Sequence, residues 1–379
     1  MPDGLLVARF ARDTLAHSGR FFAGGAGLLG ACPDFSDTLL VSGTGLRAVS
    51  GTDLRPGPAG DLSPHPPPRG PILVTGAAGF AGGHLLDLLA ADAANLIAWH
   101  RPGSAPPRHV PGARWEAIDL LDREAVAAGI LRARPAEVYH CAGAAHVGRA
   151  WDSTSPTFAA NVLGTHYLLE ALRAAQLRVP VLIPSSALVY QPAAEALTEG
   201  HPLVPNGPYG VSKLAQELLA MRAADDGVDM RVARAFNHVG PRQDPSFAAS
   251  GFARQIAEIE AGRHEPEILV GNLQARREVT DVRDTVRAYR LLVERGQTAR
   301  PYNVCSGRAL AIGDVLDRLV ARARVPVRVR VDAARFRPHD VPLVEGDPRR
   351  IREELGWTPA IPLERTLDEM LEYWRGTMP

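Results

Sequence analysis

From residue 71 onward, short apolar runs alternate with longer stretches whose apolar residues recur at helical spacing. Ile72-Leu73-Val74 is a continuous apolar run, the pattern of a strand covered on both faces of a parallel sheet. Leu85, Leu86, Leu88 and Leu89 then repeat as one face of a helix. The same reading predicts strands over residues 96–99, 137–141, 181–183 and 230–236, and helices over 123–132, 156–175 and 209–224. Strands that alternate with helices imply right-handed crossovers and therefore an α/β doubly wound parallel sheet. One sheet domain is expected over residues 71–379. Its sheet part is placed mainly in 71–236 and 278–310, and a small C-terminal substrate-binding lobe mainly in 237–277 and 311–379.

The first 70 residues have another texture. Gly and Pro supply 20 of them but only 48 of the remaining 309, and Pro64 to Pro68 is nearly a proline run. Such punctuation predicts a poorly structured leader, either an appended tail or sequence upstream of a later natural start. It contains Gly25-Ala26-Gly27-Leu28-Leu29-Gly30, a match to G-x-G-x-x-G. No apolar strand precedes that match, and Pro33 would break a following helix, so it is set aside as a cofactor loop. The start of the chain also lacks the compact apolar core of a signal peptide.

Charge and cysteine content narrow the class. Forty-two basic side chains balance 42 acidic ones, which removes the attraction that non-specific nucleic-acid or anionic-membrane binding needs. No apolar run approaches the roughly 20 residues that span a bilayer. Cys32, Cys141 and Cys305 are sparse and show no metal-like spacing, as suits a reducing cytoplasm without disulfides. His140, His146 and His238 are read as packing or backbone-bonding residues, and no metal site is expected.

Candidate chemistry begins immediately after the first strand. Thr75-Gly76-Ala77-Ala78-Gly79-Phe80-Ala81-Gly82 has the strand before it and the helix after it that a dinucleotide loop requires. Gly76 permits the tight exit from the strand, Gly79 lets the backbone approach a pyrophosphate, and Gly82 lets the helix pack on the sheet. Phe80 and Ala81 open the helix, whose amide groups and dipole suit an anion. The expected fold is therefore Rossmann-like. Enzymes that exclude a 2′-phosphate usually carry an acid at the end of the second strand, where this chain reads Trp99-His100-Arg101-Pro102. Arg101 can pair with a 2′-phosphate, so NADP(H) is favoured over NAD(H). Asp119 and Leu120 stand where an adenine could be met.

Only one of the 42 basic residues is a lysine, and it lies in Tyr209-Gly210-Val211-Ser212-Lys213. Positions i and i+4 share a helical face, so the phenol and the ammonium can point into one cleft. An ammonium beside a phenol is expected to lower the tyrosine pKa toward working pH. Such a tyrosine can pass a proton to or from a carbonyl or hydroxyl oxygen while hydride moves. Ser185 and Ser186 end an upstream strand, where open α/β sheets bind ligands; local physics does not choose between them.

These motifs, together with Asn161-Val162-Leu163-Gly164-Thr165 and Ser185-Ser186-Ala187-Leu188-Val189-Tyr190, resemble the extended short-chain dehydrogenase/reductases that act on nucleotide sugars. The resemblance covers residues 71 to about 376. It implies that Ser186, Tyr209 and Lys213 form a catalytic triad of substrate-oxygen donor, general acid/base and ribose-binding activator, while Asn161 is structural. Arg234 to Gln243, Phe252 to Gly262 and Val270 to Arg277 are most similar to the branch of GDP-4-dehydro-6-deoxy-D-mannose reductases and GDP-mannose 4,6-dehydratases. By that likeness Asn237 and Arg277 contact the substrate diphosphate, with Arg337 a further phosphate ligand. The family also implies a homodimer through the helices of residues 156–175 and 209–224.

One position bears on the reaction. Dehydratases of this branch carry a glutamate two residues after the triad hydroxyl, and here that residue is Leu188. A leucine can neither donate nor accept a proton, so the elimination of the C6 hydroxyl lacks its usual acid. Reduction of a GDP-4-dehydro-6-deoxyhexose to GDP-6-deoxymannose (GDP-rhamnose) needs no such group and is the favoured expectation. A 4-epimerase, a dehydratase with a replacement acid, and a non-catalytic NADP-binding regulator stand as alternatives.

Overall fold

The computed structural model describes residues 39–42, 45–48, 70–92, 95–103, 108–336 and 340–378. The chain divides into two compact units, Met1–Gly60 and Asp61–Pro379. In the first unit, Leu39–Ser42 and Gly45–Ala48 pair antiparallel, with Ser42 opposite Gly45. The glycine-rich match at residues 25–30 lies outside the described residues.

The second unit is organised on seven parallel strands: β1 Ile72–Thr75, β2 Leu96–His100, β3 Ala113–Ala117, β4 Glu137–His140, β5 Pro180–Ser186, β6 Asp229–Ala235 and β7 Pro301–Val304. Their order across the sheet is β3-β2-β1-β4-β5-β6-β7, and every pairing is parallel. The order reverses between β1 and β4, which opens the crevice at the carboxyl ends of these strands. β1 and β2 are buried along their whole lengths, as their unbroken apolar runs require. The patterning missed the edge strand β3. Its Ala-Arg-Trp-Glu-Ala sequence has two of five residues exposed and none fully buried, and its alternation is only five residues long with no continuous apolar run.

Helices cover both faces. On one face, α1 (Phe80–Ala90) and α5 (Val282–Arg295) bury Leu85, Leu86, Leu89, Val286, Tyr289 and Leu292 against the sheet. On the other, α2 (Arg123–Ala133), α3 (Gly164–Ala174) and α4 (Pro208–Asp225) bury Val126, Ile130, Leu168, Leu172 and Ala220. The helix expected over residues 156–175 is not uniform. Thr154–Phe158 is α-helical, Ala159–Leu163 is wider π-helix, and α3 follows without a break. Asn161 within the π segment accepts from Ala144 N at 2.7 Å and donates to Ser212 Oγ at 2.9 Å, bonds that tie this helix to the β4 loop and to α4.

A second apolar core lies beyond the strand ends. Helices Ala248–Glu260, Ile312–Val320 and Leu363–Thr377 pack Phe252, Ile256, Leu316, Leu319, Leu367 and Met370 together with Ile268 and Val270 of the strand Glu267–Val270.

Candidate active site

A cavity of about 690 Å³ opens over the carboxyl ends of β1, β4, β5 and β6. Gly79, Phe80, Ala81 and Gly82 line one side, and Ser185, Ser186, Leu188, Tyr209 and Lys213 another. A second cavity of about 1110 Å³ lies against the second core and shares Asn237, Phe247, Phe252, Arg277 and Asp340 with the first.

The glycine loop is shaped by contacts that side chains could not make. Gly76 has φ +66°, and a Cβ there would stand 2.6 Å from backbone atoms of Ala142. At Gly82 a Cβ would stand 2.3 Å from the Gly76 carbonyl oxygen, so the start of α1 must approach the loop closely. α1 has no side-chain cap at Gly79, so the amide end of the helix is presented to the cavity bare of side chains. A dinucleotide pyrophosphate fits this cradle, which combines a helix amino terminus with a loop that only glycine can trace. The Phe80 ring stacks on His238 across the loop, with centroids 5.9 Å apart and planes 6° apart.

The two serines have different partners. Ser185 Oγ donates to Glu217 Oε2 at 2.7 Å in the buried layer beneath α4, where Arg234 also pairs with Glu217. Ser186 Oγ accepts from Leu188 N at 3.2 Å and is hydrogen-bonded to the Tyr209 phenol. The structure therefore brings Ser186, not Ser185, to Tyr209. Adjacent residues of a strand face opposite sides, which is why sequence spacing alone left the pair undecided.

Lys213 and Tyr209 both line the cavity, as i, i+4 spacing on α4 requires. The expected acidification of the phenol is corrected by the geometry. Burial pushes Tyr209 up to about 12, and the Ser186 hydrogen bond opposes it. The ammonium is instead drawn to the Pro184 carbonyl at 2.5 Å and to Gln216 Oε1. Burial lowers Lys213 to about 8, while Cys141 and Glu217 pull in the opposite direction.

The remaining candidates are dispersed. Arg101 is exposed just beyond β2, and Asp119 is exposed with its carboxylate accepting from Leu121 N at 3.0 Å. Leu120 is half-buried and packs beside Gly164 at the start of α3. None of these three lines either cavity. Asn237 and Arg277 line both, and Arg277 Nη2 donates to Asp340 Oδ1 at 2.5 Å. Arg337 lies outside the described residues. Trp151 and Phe247 also line the first cavity and escaped the sequence reading, as did the place of Cys141 in it, read only as a sparse cysteine at a strand end. Each is a lone residue on a loop or short helix with no periodic signal. His140 is held between hydroxyls of Thr75 and Thr165, at 2.8 and 2.9 Å.

This strand order, with a glycine loop and a Ser/Tyr/Lys cluster meeting at the switch point, defines a dinucleotide-binding domain of the short-chain dehydrogenase/reductase type. The chain belongs to the GDP-mannose 4,6 dehydratase family, whose model matches residues 73–370. Among curated relatives it is 35% identical over 307 residues to GDP-6-deoxy-D-mannose reductase of Pseudomonas aeruginosa, covering 80% of this chain and 96% of that protein. It is 31% identical to a dTDP-glucose 4,6-dehydratase of Streptomyces griseus, covering 77% and 90%. Among solved structures, that of RMD from Pseudomonas aeruginosa complexed with NADPH superposes with a TM-score of 0.72 at 32% identity, covering 81% of this chain and 99% of that one. The UDP-glucose 4-epimerase of Thermus thermophilus complexed with NAD gives 0.73 at 25% identity, covering 81% and 100%.

Proposed function

We propose that this protein reduces the 4-keto group of a GDP-4-dehydro-6-deoxyhexose, using NADPH, to give GDP-6-deoxymannose (GDP-rhamnose). The observation that carries the reading is Leu188, which lines the cavity two residues after Ser186, where a dehydratase needs an acid. Among the described residues lining that cavity the carboxylates are Asp152 and Asp340, and Asp340 is paired with Arg277. The relationship to GDP-6-deoxy-D-mannose reductase supports the same reaction class.

NADPH, when bound, supplies the hydride to C4. The cradle of Gly76, Gly79, Phe80, Ala81 and Gly82 would hold its pyrophosphate, with Arg101 at the 2′-phosphate and Asp119 and Leu120 near the adenine. NAD(H) would be served by the same cradle without Arg101. Ser186 hydrogen-bonds the substrate oxygen, and Tyr209 donates its phenolic proton to that oxygen as the carbonyl becomes an alcohol. Burial keeps the phenol protonated, the form that reduction consumes, and the Ser186 hydrogen bond works against that upward push. Lys213 would bind the ribose, and its ammonium would favour the tyrosinate left after the transfer, which takes its proton back from solvent. Asn237, Arg277 and Arg337 serve the substrate diphosphate, where guanidinium groups match phosphate oxygens.

A homodimer through α3 and α4 belongs to the same proposal. On α4 the polar Ser212, Lys213, Gln216 and Glu217 are turned inward and buried, whereas Val211 and Leu218 are 41% and 59% exposed. Leu163 beside α3 is 47% exposed. Apolar residues on the outer face of a helix whose inner face is polar suit a second copy of the chain.

The test is to incubate the protein with GDP-4-dehydro-6-deoxymannose and NADPH and identify the product by NMR. GDP-6-deoxymannose is expected. Formation of a 4-keto sugar from GDP-mannose and oxidised cofactor, or interconversion of C4 epimers without net NADPH use, overturns the reductase reading.

A further inference from the structure

Behind the cavity a chain of buried polar groups ends on Lys213. Gln216 Oε1 accepts from Lys213 Nζ, and Gln216 Nε2 donates to Thr165 Oγ1 at 2.7 Å. Thr165 Oγ1 donates to Asn161 O at 2.7 Å. Its one proton being used there, Thr165 must accept from both its other partners, so His140 carries its proton on Nε2. His140 Nδ1 then accepts from Thr75 Oγ1, which in turn accepts from Ala142 N at 3.3 Å. Each of these bonds thereby has one donor and one acceptor. Gln216 cannot turn its amide round, because that would set an NH2 group against an ammonium and an oxygen against a lone pair. Thr75, His140, Asn161, Thr165 and Gln216 are all buried, so none of these bonds is exchanged with solvent.

We propose that Gln216 is a positioning residue for Lys213: with the Pro184 carbonyl it fixes the direction and the protonation of the ammonium, and Thr165 and His140 fix Gln216. This rests on the proposed reaction only in assigning Lys213 a task there. Two of the ammonium's three N–H groups are held by Pro184 O and Gln216 Oε1, and the third serves the cavity. The titratable groups facing Lys213 are His140 and Cys141 at the end of β4, with Tyr209 and Glu217 on its own helix. Tyr289 of α5 lines the same cavity. Burial lowers His140 to about 3, so it stands neutral beside the ammonium.

Lys213 is the sole lysine of the chain, so protein grown with lysine labelled with carbon-13 at Cε gives one side-chain resonance. Its pH titration reads this one amine without substrate, cofactor or turnover. In the wild type the midpoint is expected near 8. Gln216→Leu, which removes an acceptor from a buried cation, is expected to lower the midpoint by about one unit or more. Gln216→Glu, which sets a negative charge there, is expected to raise it by a similar amount. Thr165→Val keeps Gln216 and removes its anchor, and is expected to shift the midpoint the same way as Gln216→Leu but less. In turnover assays Gln216→Leu should lower kcat by roughly tenfold with KM nearly unchanged. Midpoints that stay within about 0.3 of the wild type in Gln216→Leu and Gln216→Glu, or that move together in one direction, overturn the proposal. A resonance that moves as expected in a protein that does not reduce the sugar supports the positioning role and counts against the reaction. Normal turnover with an unmoved resonance counts against the positioning role alone.

Discussion

Ser185→Ala and Ser186→Ala should separate stability from chemistry at two neighbouring positions. Ser185 is buried and its hydroxyl donates to a carboxylate that also holds the buried Arg234 guanidinium. Its removal takes away one charge-assisted hydrogen bond and leaves Glu217 still paired, a loss of about 1 to 2 kcal/mol. For a domain of this size that corresponds to about 2 to 6 °C in Tm. Ser186 makes one hydrogen bond to the Leu188 amide and one to the Tyr209 phenol. Its loss should cost stability less than about 1 kcal/mol but lower kcat by roughly 10- to 100-fold, since the reacting oxygen loses a donor. Thermal unfolding and NADPH oxidation, measured on the same preparations, test both halves. A Ser185→Ala variant that keeps its Tm and loses activity, beside a Ser186→Ala variant that keeps its activity, would reverse the assignment.

Tyr209→Phe keeps the ring in place and removes the proton donor, so kcat should fall by roughly 10² to 10⁴ while NADPH affinity stays within about twofold by fluorescence titration. Equal turnover in variant and wild type would remove the tyrosine from the mechanism and favour a binding protein without catalysis. Arg101→Ala should weaken NADPH about tenfold and leave NADH unchanged, and an unaltered ratio of the two affinities would clear Arg101 of the 2′-phosphate. Burial lowers Lys213 from 10.5 to about 8. Between those values the unfolded chain binds more protons than the folded one, so stability should rise with pH relative to a Lys213→Met variant. Urea unfolding at pH 7.5, 8.5 and 9.5 checks this, and a constant difference between the two proteins would contradict it.

The parts of the fold that were legible are those whose burial is uniform. β1, β2 and the start of β5 run through the middle of the sheet with both faces covered, so their sequences are continuously apolar and readable, while β6 is buried too but carries Arg231 and Arg234 among its apolar residues. β3 is a five-residue edge strand with two residues exposed and none fully buried, and β7 begins at a proline, so neither leaves a comparable trace. The glycine loop was legible because its backbone demands leave few residue choices. Tyr209 and Lys213 were legible because helical spacing fixes their common face. The partner of the ammonium was not. Gln216 lies three residues on, close enough to meet Lys213, but competition between Tyr209, Pro184 O and Gln216 is decided by packing across α3, β4 and β5. Arg277 shows the same limit in reverse, since its partner Asp340 lies 63 positions away in sequence.

The π-helical turn at Ala159–Leu163 sets the rotational phase of everything after it. An added or lost residue in an α-helix turns the downstream part by about 100°. Deleting one residue other than Asn161 here would close the wide turn to ordinary helix and keep Thr165 in phase, whereas inserting one would swing Thr165 off the hydroxyl position that His140 and Gln216 share. This stretch should therefore accept conservative replacements, or the loss of one residue, far more readily than an insertion. Homologues that differ by an insertion in this segment would be expected to hold their active-site amine by other means.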